Sequence, residues 1–247
     1  MATPHYGGGW DNKFSNTWGR HGAGELRSGH DLPILTAVRI ALFGATGFIG
    51  HAFLEEALAR GDDVRALARD PARVSPRPNL EVIEGDVSDS AALDRVIAGA
   101  GAVVSLLGPR RGDSNQPDFL AGAMALILAS MASQDVKRLV TVSGAAVRLP
   151  GEQKGFPHNV ASALVSVLAR PAYLAKKAEL EVVLASSVDW TAIRPTRVVE
   201  GEVTEHARVS LTAGGVGFSV TRADLAHILW SQLRDPAFVR QAPYVSS

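Results

Sequence analysis

From Val38 onward, short β-rich runs alternate with Ala- and Leu-rich stretches. The runs at 38–43, 63–68, 80–84, 102–107, 137–143 and 190–194 predict strands. The stretches at 48–60, 89–99, 118–133 and 172–186 predict helices. This β–α alternation reads as a parallel sheet, because helices carry the chain back between most of the strands. The expected architecture is an α/β parallel sheet with helices on both faces. Near the end, Thr221-Arg222-Ala223-Asp224 reads as a capping box, with Thr221 capping the first amides and Asp224 reaching back. The helix it opens is expected to run to about Leu233, before Pro236.

Residues 1–37 lack this pattern. They are rich in Gly, His and Asn and have no apolar core of a signal peptide. We read them as a disordered tail or an upstream segment included ahead of the domain, whose aromatics Tyr6, Trp10, Phe14 and Trp18 could dock on a surface. That leaves residues 38–247 as a single domain.

Composition narrows the classes further. The chain has 247 residues, 46% hydrophobic and 20% charged, enough for a sizeable core. Lys+Arg and Asp+Glu are both 25, and no basic stripe suggests nucleic acid. With no cysteine, disulfides, thiolate metal sites and a Cys nucleophile are excluded. The seven histidines have no metal-binding spacing, so no metal is expected. No apolar span approaches the ~20 residues a membrane helix needs. The expectation is a cytoplasmic protein with a small-molecule substrate, no nucleic-acid or membrane partner, and room for a homodimer.

The chemistry starts in "IALFGATGFIGHAF", residues 40–53. Three glycines sit where a strand gives way to a helix. A helix N-terminus has unpaired N–H groups and partial positive charge, which suit a diphosphate if the backbone can come close. Gly44 makes the tight turn, Gly47 removes a Cβ from the diphosphate's path, and Gly50 allows close helix packing. The expected cofactor loop is Gly44, Thr46, Gly47, Phe48, Ile49 and Gly50.

"GATGFIG" resembles the fingerprint of the extended and atypical short-chain dehydrogenase/reductases. "ALARDP", "EGDVSD", "VVSLLG", "KRLVTVSGA", "DWTAIRPTRV" and "VTRADLAHIL" follow in the same order, so the resemblance covers roughly residues 38–245. The last two motifs look most like the atypical NAD(P)H-binding group, which holds flavin- and biliverdin-reductase-like proteins and NmrA-like regulators. The resemblance implies a Rossmann-type doubly wound sheet with a small C-terminal substrate region and a nicotinamide cofactor.

An acid at the end of the second strand usually holds a free ribose 2′-hydroxyl. Here that strand ends in Arg69, with Arg73 close behind, and a guanidinium suits a 2′-phosphate. NADP(H) is favoured; Asp70 next door leaves room for NAD(H). The resemblance puts Asp86 and Val87 beside the adenine, although Asp86 also suits a helix-start role, with Ser88 or Asp89 as the cap. It puts Leu107 and Gly108 beside the nicotinamide ribose, and Pro195 near the nicotinamide amide. Arg194 reads as structural, paired with a carboxylate.

Reductases of this superfamily commonly use a Tyr-x-x-x-Lys pair and a Ser. Tyr173 and Lys177 have that spacing, and the resemblance makes Ser143 the serine. Tyr173, Lys177, Leu180 and Leu184 share a helix stripe, which predicts that Tyr173 and Lys177 face the sheet. An ammonium beside a phenol favours the phenolate, so Tyr173 could donate a proton as hydride arrives. An Ala-rich helix also sets Tyr and Lys four apart with no chemistry attached. In that case transfer to flavin, quinone or tetrapyrrole remains, since such acceptors need positioning more than an acid.

The substrate side is expected at the carboxyl ends of the strands, in segments 109–118, 145–170 and 197–220. The leading reading is an NADP(H)-binding oxidoreductase that passes hydride to a small carbonyl, flavin or quinone-like acceptor. The alternatives are a non-catalytic NADP(H)-sensing regulator of NmrA type and, more weakly, a sugar-nucleotide epimerase.

Overall fold

The structure, a computed structural model, describes residues 37–109, 116–150, 152, 169–204 and 206–247. The expectation for residues 1–37 therefore falls, apart from Ala37, outside the described residues. So do the middle of segment 109–118 and most of 145–170.

Six strands form the parallel body of the sheet: β1 (Arg39–Phe43), β2 (Asp63–Ala68), β3 (Leu80–Glu84), β4 (Ala102–Ser105), β5 (Arg138–Val142) and β6 (Asp189–Pro195). Between and after them come α1 (Phe48–Ala59), α2 (Ser90–Ile97), α3 (Gln116–Ser133), α4 (Arg170–Ala185) and α5 (Arg222–Ser231). Four three-residue strands have no counterpart in the hydrophobic pattern: β7 (Arg197–Val199), β8 (Arg208–Ser210), β9 (Ser219–Thr221) and β10 (Tyr244–Ser246). The large sheet runs β3-β2-β1-β4-β5-β6-β10-β8, and only β8, at the edge, is antiparallel. β7 and β9 pair in parallel as a separate ribbon. The chain passes from β1 to β2 on one side and then crosses to β4 on the other. That reversal opens a crevice at the carboxyl ends of β1 and β4.

Alternation along β1 shows why both faces are covered. Ala41 and Phe43 join a core with Leu93, Ile97, Met124, Ile127 and Leu180. Ile40 and Leu42 join the opposite core with Phe53, Leu54, Leu225 and Leu229. Successive side chains of a strand point to opposite faces, so the four apolar residues Ile40–Phe43 supply two cores.

The helix starts explain the boundaries. Asp89 caps α2, accepting from Ala91 N at 2.9 Å and Ala92 N at 3.2 Å. Thr221 caps α5, accepting from Asp224 N at 3.1 Å. The expected return bond from Asp224 does not form. Its carboxylate instead accepts from Thr204 N and Thr204 Oγ1, both at 2.8 Å, while Thr221 N donates to Ser247 Oγ at 3.0 Å. The box is half-formed because each missing partner is supplied from a distant part of the chain.

Candidate cofactor and active site

Gly44 has φ +92°, and a Cβ there would stand 2.7 Å from the Leu106 carbonyl oxygen at the end of β4. A side chain would meet both strain and a backbone clash. At Gly50 a Cβ would fall 1.9 Å from the Gly44 carbonyl oxygen, so the first turn of α1 rests directly on the loop. Gly47 is the residue before α1; it contributes no side-chain cap, and no acid stands in the first turn. Among the described residues, the amides of Phe48, Ile49 and Gly50 therefore meet neither a cap nor a carboxylate, and a diphosphate fits them by charge and by hydrogen bonding. Thr46, Gly47 and Phe48 are exposed, and Ile49 is half-buried.

The other expected cofactor residues stand along the same carboxyl edge. Arg69 follows β2, is exposed, and makes no ion pair among the described residues. Its acidic neighbour Asp70 is engaged elsewhere, accepting from Ala72 N at 3.2 Å. Asp86 follows β3 and is half-buried. Its Oδ1 accepts from Ser88 N at 3.1 Å and Ser88 Oγ at 2.8 Å, so it shapes the turn into α2. Val87 is buried in the core. Leu107 is half-buried. Gly108 is exposed, and no described atom lies within 4 Å of where its Cβ would be. Pro195 ends β6, buried and in register with Val245 of β10.

Ser143 is the first residue beyond β5. Its N–H donates to Ile193 O at 2.9 Å. Its Oγ is buried and has no hydrogen-bond partner among the described residues. A buried hydroxyl without a partner is uncommon and costly; here it borders the crevice, where a ligand oxygen would satisfy it.

The expected Tyr–Lys arrangement differs. Tyr173 lies in the first turn of α4, half-buried against the edge of the core. Its hydroxyl makes no hydrogen bond to the described residues. Lys177 does not face the sheet: it is exposed and lies 3.6 Å from Glu181. The inward lysine is Lys176. Its Nζ donates to Leu107 O at 2.6 Å, Val142 O at 2.8 Å and Glu179 Oε2 at 2.7 Å. Burial pushes the Glu179 carboxyl up, and the Lys176 ammonium pulls it the other way. The buried face of α4 runs through Ala175, Glu179, Leu180 and Val183. It is thus turned by about one residue from the predicted stripe, enough to exchange the two lysines. The sequence carried one sign of this: a glutamate set within an apolar stripe, with a lysine three residues before it.

A second buried ion pair borders the site. Arg194 is 1% exposed. It donates to both Glu152 carboxylate oxygens at 2.7 and 2.9 Å, to Ala242 O at 2.7 Å and to Val147 O at 3.2 Å. Its guanidinium lies 3.8 Å from the centre of the Tyr244 ring, and Tyr244 donates its O–H to Glu152 at 2.7 Å. Burial works against the Glu152 carboxylate, but Arg194, the Leu149 N–H and Tyr244 hold its pKa down to about 2. Burial and the Glu152 acceptor push the Tyr244 hydroxyl up. The knot fastens the turn that follows Ser143 to β6 and β10.

A doubly wound sheet with an open glycine loop at its reversal point defines a dinucleotide-binding protein. Known proteins agree with this. Residues 44–236 match the family described as NAD(P)H-binding, and the chain belongs to that family. It is 30% identical over 157 residues to (4-alkanoyl-5-oxo-2,5-dihydrofuran-3-yl)methyl phosphate reductase of Streptomyces griseus, over 63% of this chain and 46% of that protein. It is 25% identical over 202 residues to dihydroflavonol 4-reductase of Hordeum vulgare, over 65% and 53%. The chain thus spans about half the length of the curated relatives it matches. A short-chain dehydrogenase/reductase of Veillonella parvula, solved in complex with NADP, shares the fold with a TM-score of 0.71 at 19% identity. That match covers 85% of this chain and 94% of that one. The fold is Rossmann-type and the family is of oxidoreductase type. Among the described residues no helix is long and apolar enough to cross a membrane.

Proposed function

We propose that the chain is an NADPH-dependent reductase that passes hydride to a conjugated acceptor of flavin, quinone or tetrapyrrole type. The observation that carries this reading is the disposition of the two lysines on α4. Lys177 is turned out toward Glu181, and all three Lys176 donors are engaged. Neither ammonium is left to activate the Tyr173 phenol, and a phenol without a cation beside it is a poor acid–base group at neutral pH. A conjugated acceptor needs alignment more than a side-chain acid.

In this reading the loop Gly44–Gly50 holds the diphosphate, and Arg69 holds the 2′-phosphate. Asp86 and Val87 border the adenine, and Leu107, Gly108 and Pro195 border the nicotinamide. The nicotinamide supplies the hydride when bound. Ser143 Oγ orients the acceptor by hydrogen-bonding an acceptor oxygen or ring nitrogen, and the balancing proton comes from solvent. The two relatives named as reductases support the reductase class.

The test is NADPH oxidation against a panel of flavins, quinones, tetrapyrroles and small aldehydes and ketones. Turnover concentrated on the conjugated acceptors is expected. Turnover confined to the aldehydes and ketones would overturn the acceptor class, and NADPH binding without any turnover would replace the reductase with a sensor.

A further inference from the structure

Parallel pairing between β4 and β5 ends at Ser105 and Thr141. Beyond that point no paired residues of the two strands are seen among the described residues, and the carbonyls of Leu107 and Val142 share one donor. That donor is the Lys176 ammonium, at 2.6 and 2.8 Å. Its third N–H goes to Glu179 at 2.7 Å. An ammonium has three donors and no acceptor, so Lys176 is saturated within the protein. It has no N–H left for a ribose hydroxyl or a phenol oxygen unless one of these bonds breaks.

The two carbonyls are well placed to matter. Each belongs to the peptide unit that leads into a crevice residue, Gly108 in one case and Ser143 in the other. Peptide planarity passes a movement of the carbonyl to the residue that follows. The same end of β4 carries the Leu106 carbonyl, packed so closely on Gly44 that no Cβ fits between them. The ammonium therefore bridges the sheet where the crevice opens.

We propose that Lys176 is a positioning residue that fixes the width of the crevice between the ends of β4 and β5, and so sets how the nicotinamide half of the cofactor lies against Leu107, Gly108 and Ser143. The proposal rests on the NADPH reading above for the identity of the site. It separates the two halves of the cofactor. The adenine half is held from β1, β2 and β3, which Lys176 does not touch.

The test compares NADPH with adenosine 2′,5′-bisphosphate, which carries only the adenine half. Lys176→Met combined with Glu179→Leu removes the pair without leaving a buried charge unpaired, a replacement that proteins often tolerate. The double variant is expected to bind adenosine 2′,5′-bisphosphate within about twofold of the parent and NADPH about tenfold more weakly. Amide hydrogen exchange at Leu107–Gly108 and Ser143–Gly144 should quicken. Unchanged NADPH affinity together with unchanged exchange would overturn the proposal. If the double variant does not fold, Lys176→Gln takes its place in the same titrations and at the same exchange sites: weaker NADPH binding with faster exchange supports the bridge, and no change in either overturns it. A parent protein that fails to bind adenosine 2′,5′-bisphosphate would instead sink the cofactor reading, and the exchange rates would still decide whether the bridge holds the two strand ends.

Discussion

Between β1 and α1 the site is made of backbone; between β5 and β6 it is held by buried side chains. On the first side, Gly44 and Gly50 bring peptide groups into contact, and the uncapped amides of α1 offer charge without any side chain. On the second side, two ion pairs hold the frame: Lys176–Glu179 under the ends of β4 and β5, and Arg194–Glu152 under the turn after Ser143. A diphosphate is common to every dinucleotide, and a backbone cradle suffices for it. The acceptor end must be set by side chains, which differ from one protein to the next at little cost to the fold. The difference also predicts how each side fails. Backbone contacts leave no room for substitution, whereas ion pairs fail by degrees and with pH.

The largest effect should come from the backbone side. Gly50→Ala puts a methyl group where the Gly44 carbonyl stands, so the loop and α1 must separate. We expect a loss on the order of 4 kcal/mol in denaturant unfolding, with NADPH binding abolished. On the side-chain side, Glu152→Gln leaves Arg194 buried without its counter-charge and should cost on the order of 3 kcal/mol. Here pH sharpens the contrast. An unfolded chain protonates Glu152 near its ordinary 4.5, and the folded protein only near 2. Between those values the unfolded state binds more protons, so the stabilisation is present above 4.5 and is lost as pH falls toward 2. A stability–pH profile of Glu152→Gln should lack this part of the acid limb.

Smaller effects test the edges of the comparison. Arg69→Ala should weaken NADPH about 10- to 100-fold and leave NADH within about twofold, because a charge-assisted pair to the 2′-phosphate is worth about 1.5–3 kcal/mol; equal losses in paired titrations would remove the assignment. Thr221→Ala takes the cap from α5 and should cost about 1 kcal/mol in thermal unfolding, with no change in cofactor affinity.

How far each side is legible in the sequence follows the same division. The turn at Gly44 and the start of α1 are legible because a seven-residue spacing, "GATGFIG", fixes backbone geometry locally. The six long strands are legible from their apolar runs. The inward lysine is not, because Lys176 and Lys177 are neighbours and an error of about one residue in a helix face exchanges them. Arg194 is readable as a structural cation paired with a carboxylate, but its partner Glu152 comes from a separate loop that no local spacing links to it. β7 to β10 are three residues each, too short to show a period. Thr204 displaces the expected capping-box bond for a related reason: the competing partner is distant in sequence.

Whether the chemistry proceeds without an acid from the Tyr–Lys pair is tested most directly by one substitution. Tyr173→Phe keeps the ring and removes only the hydroxyl. With NADPH and the best acceptor of the panel, kcat is expected to stay within about twofold of the parent, with an unchanged pH profile. A fall in kcat of about 100-fold or more, the size of effect that loss of a general acid brings, would contradict this and return Tyr173 to the centre of the site.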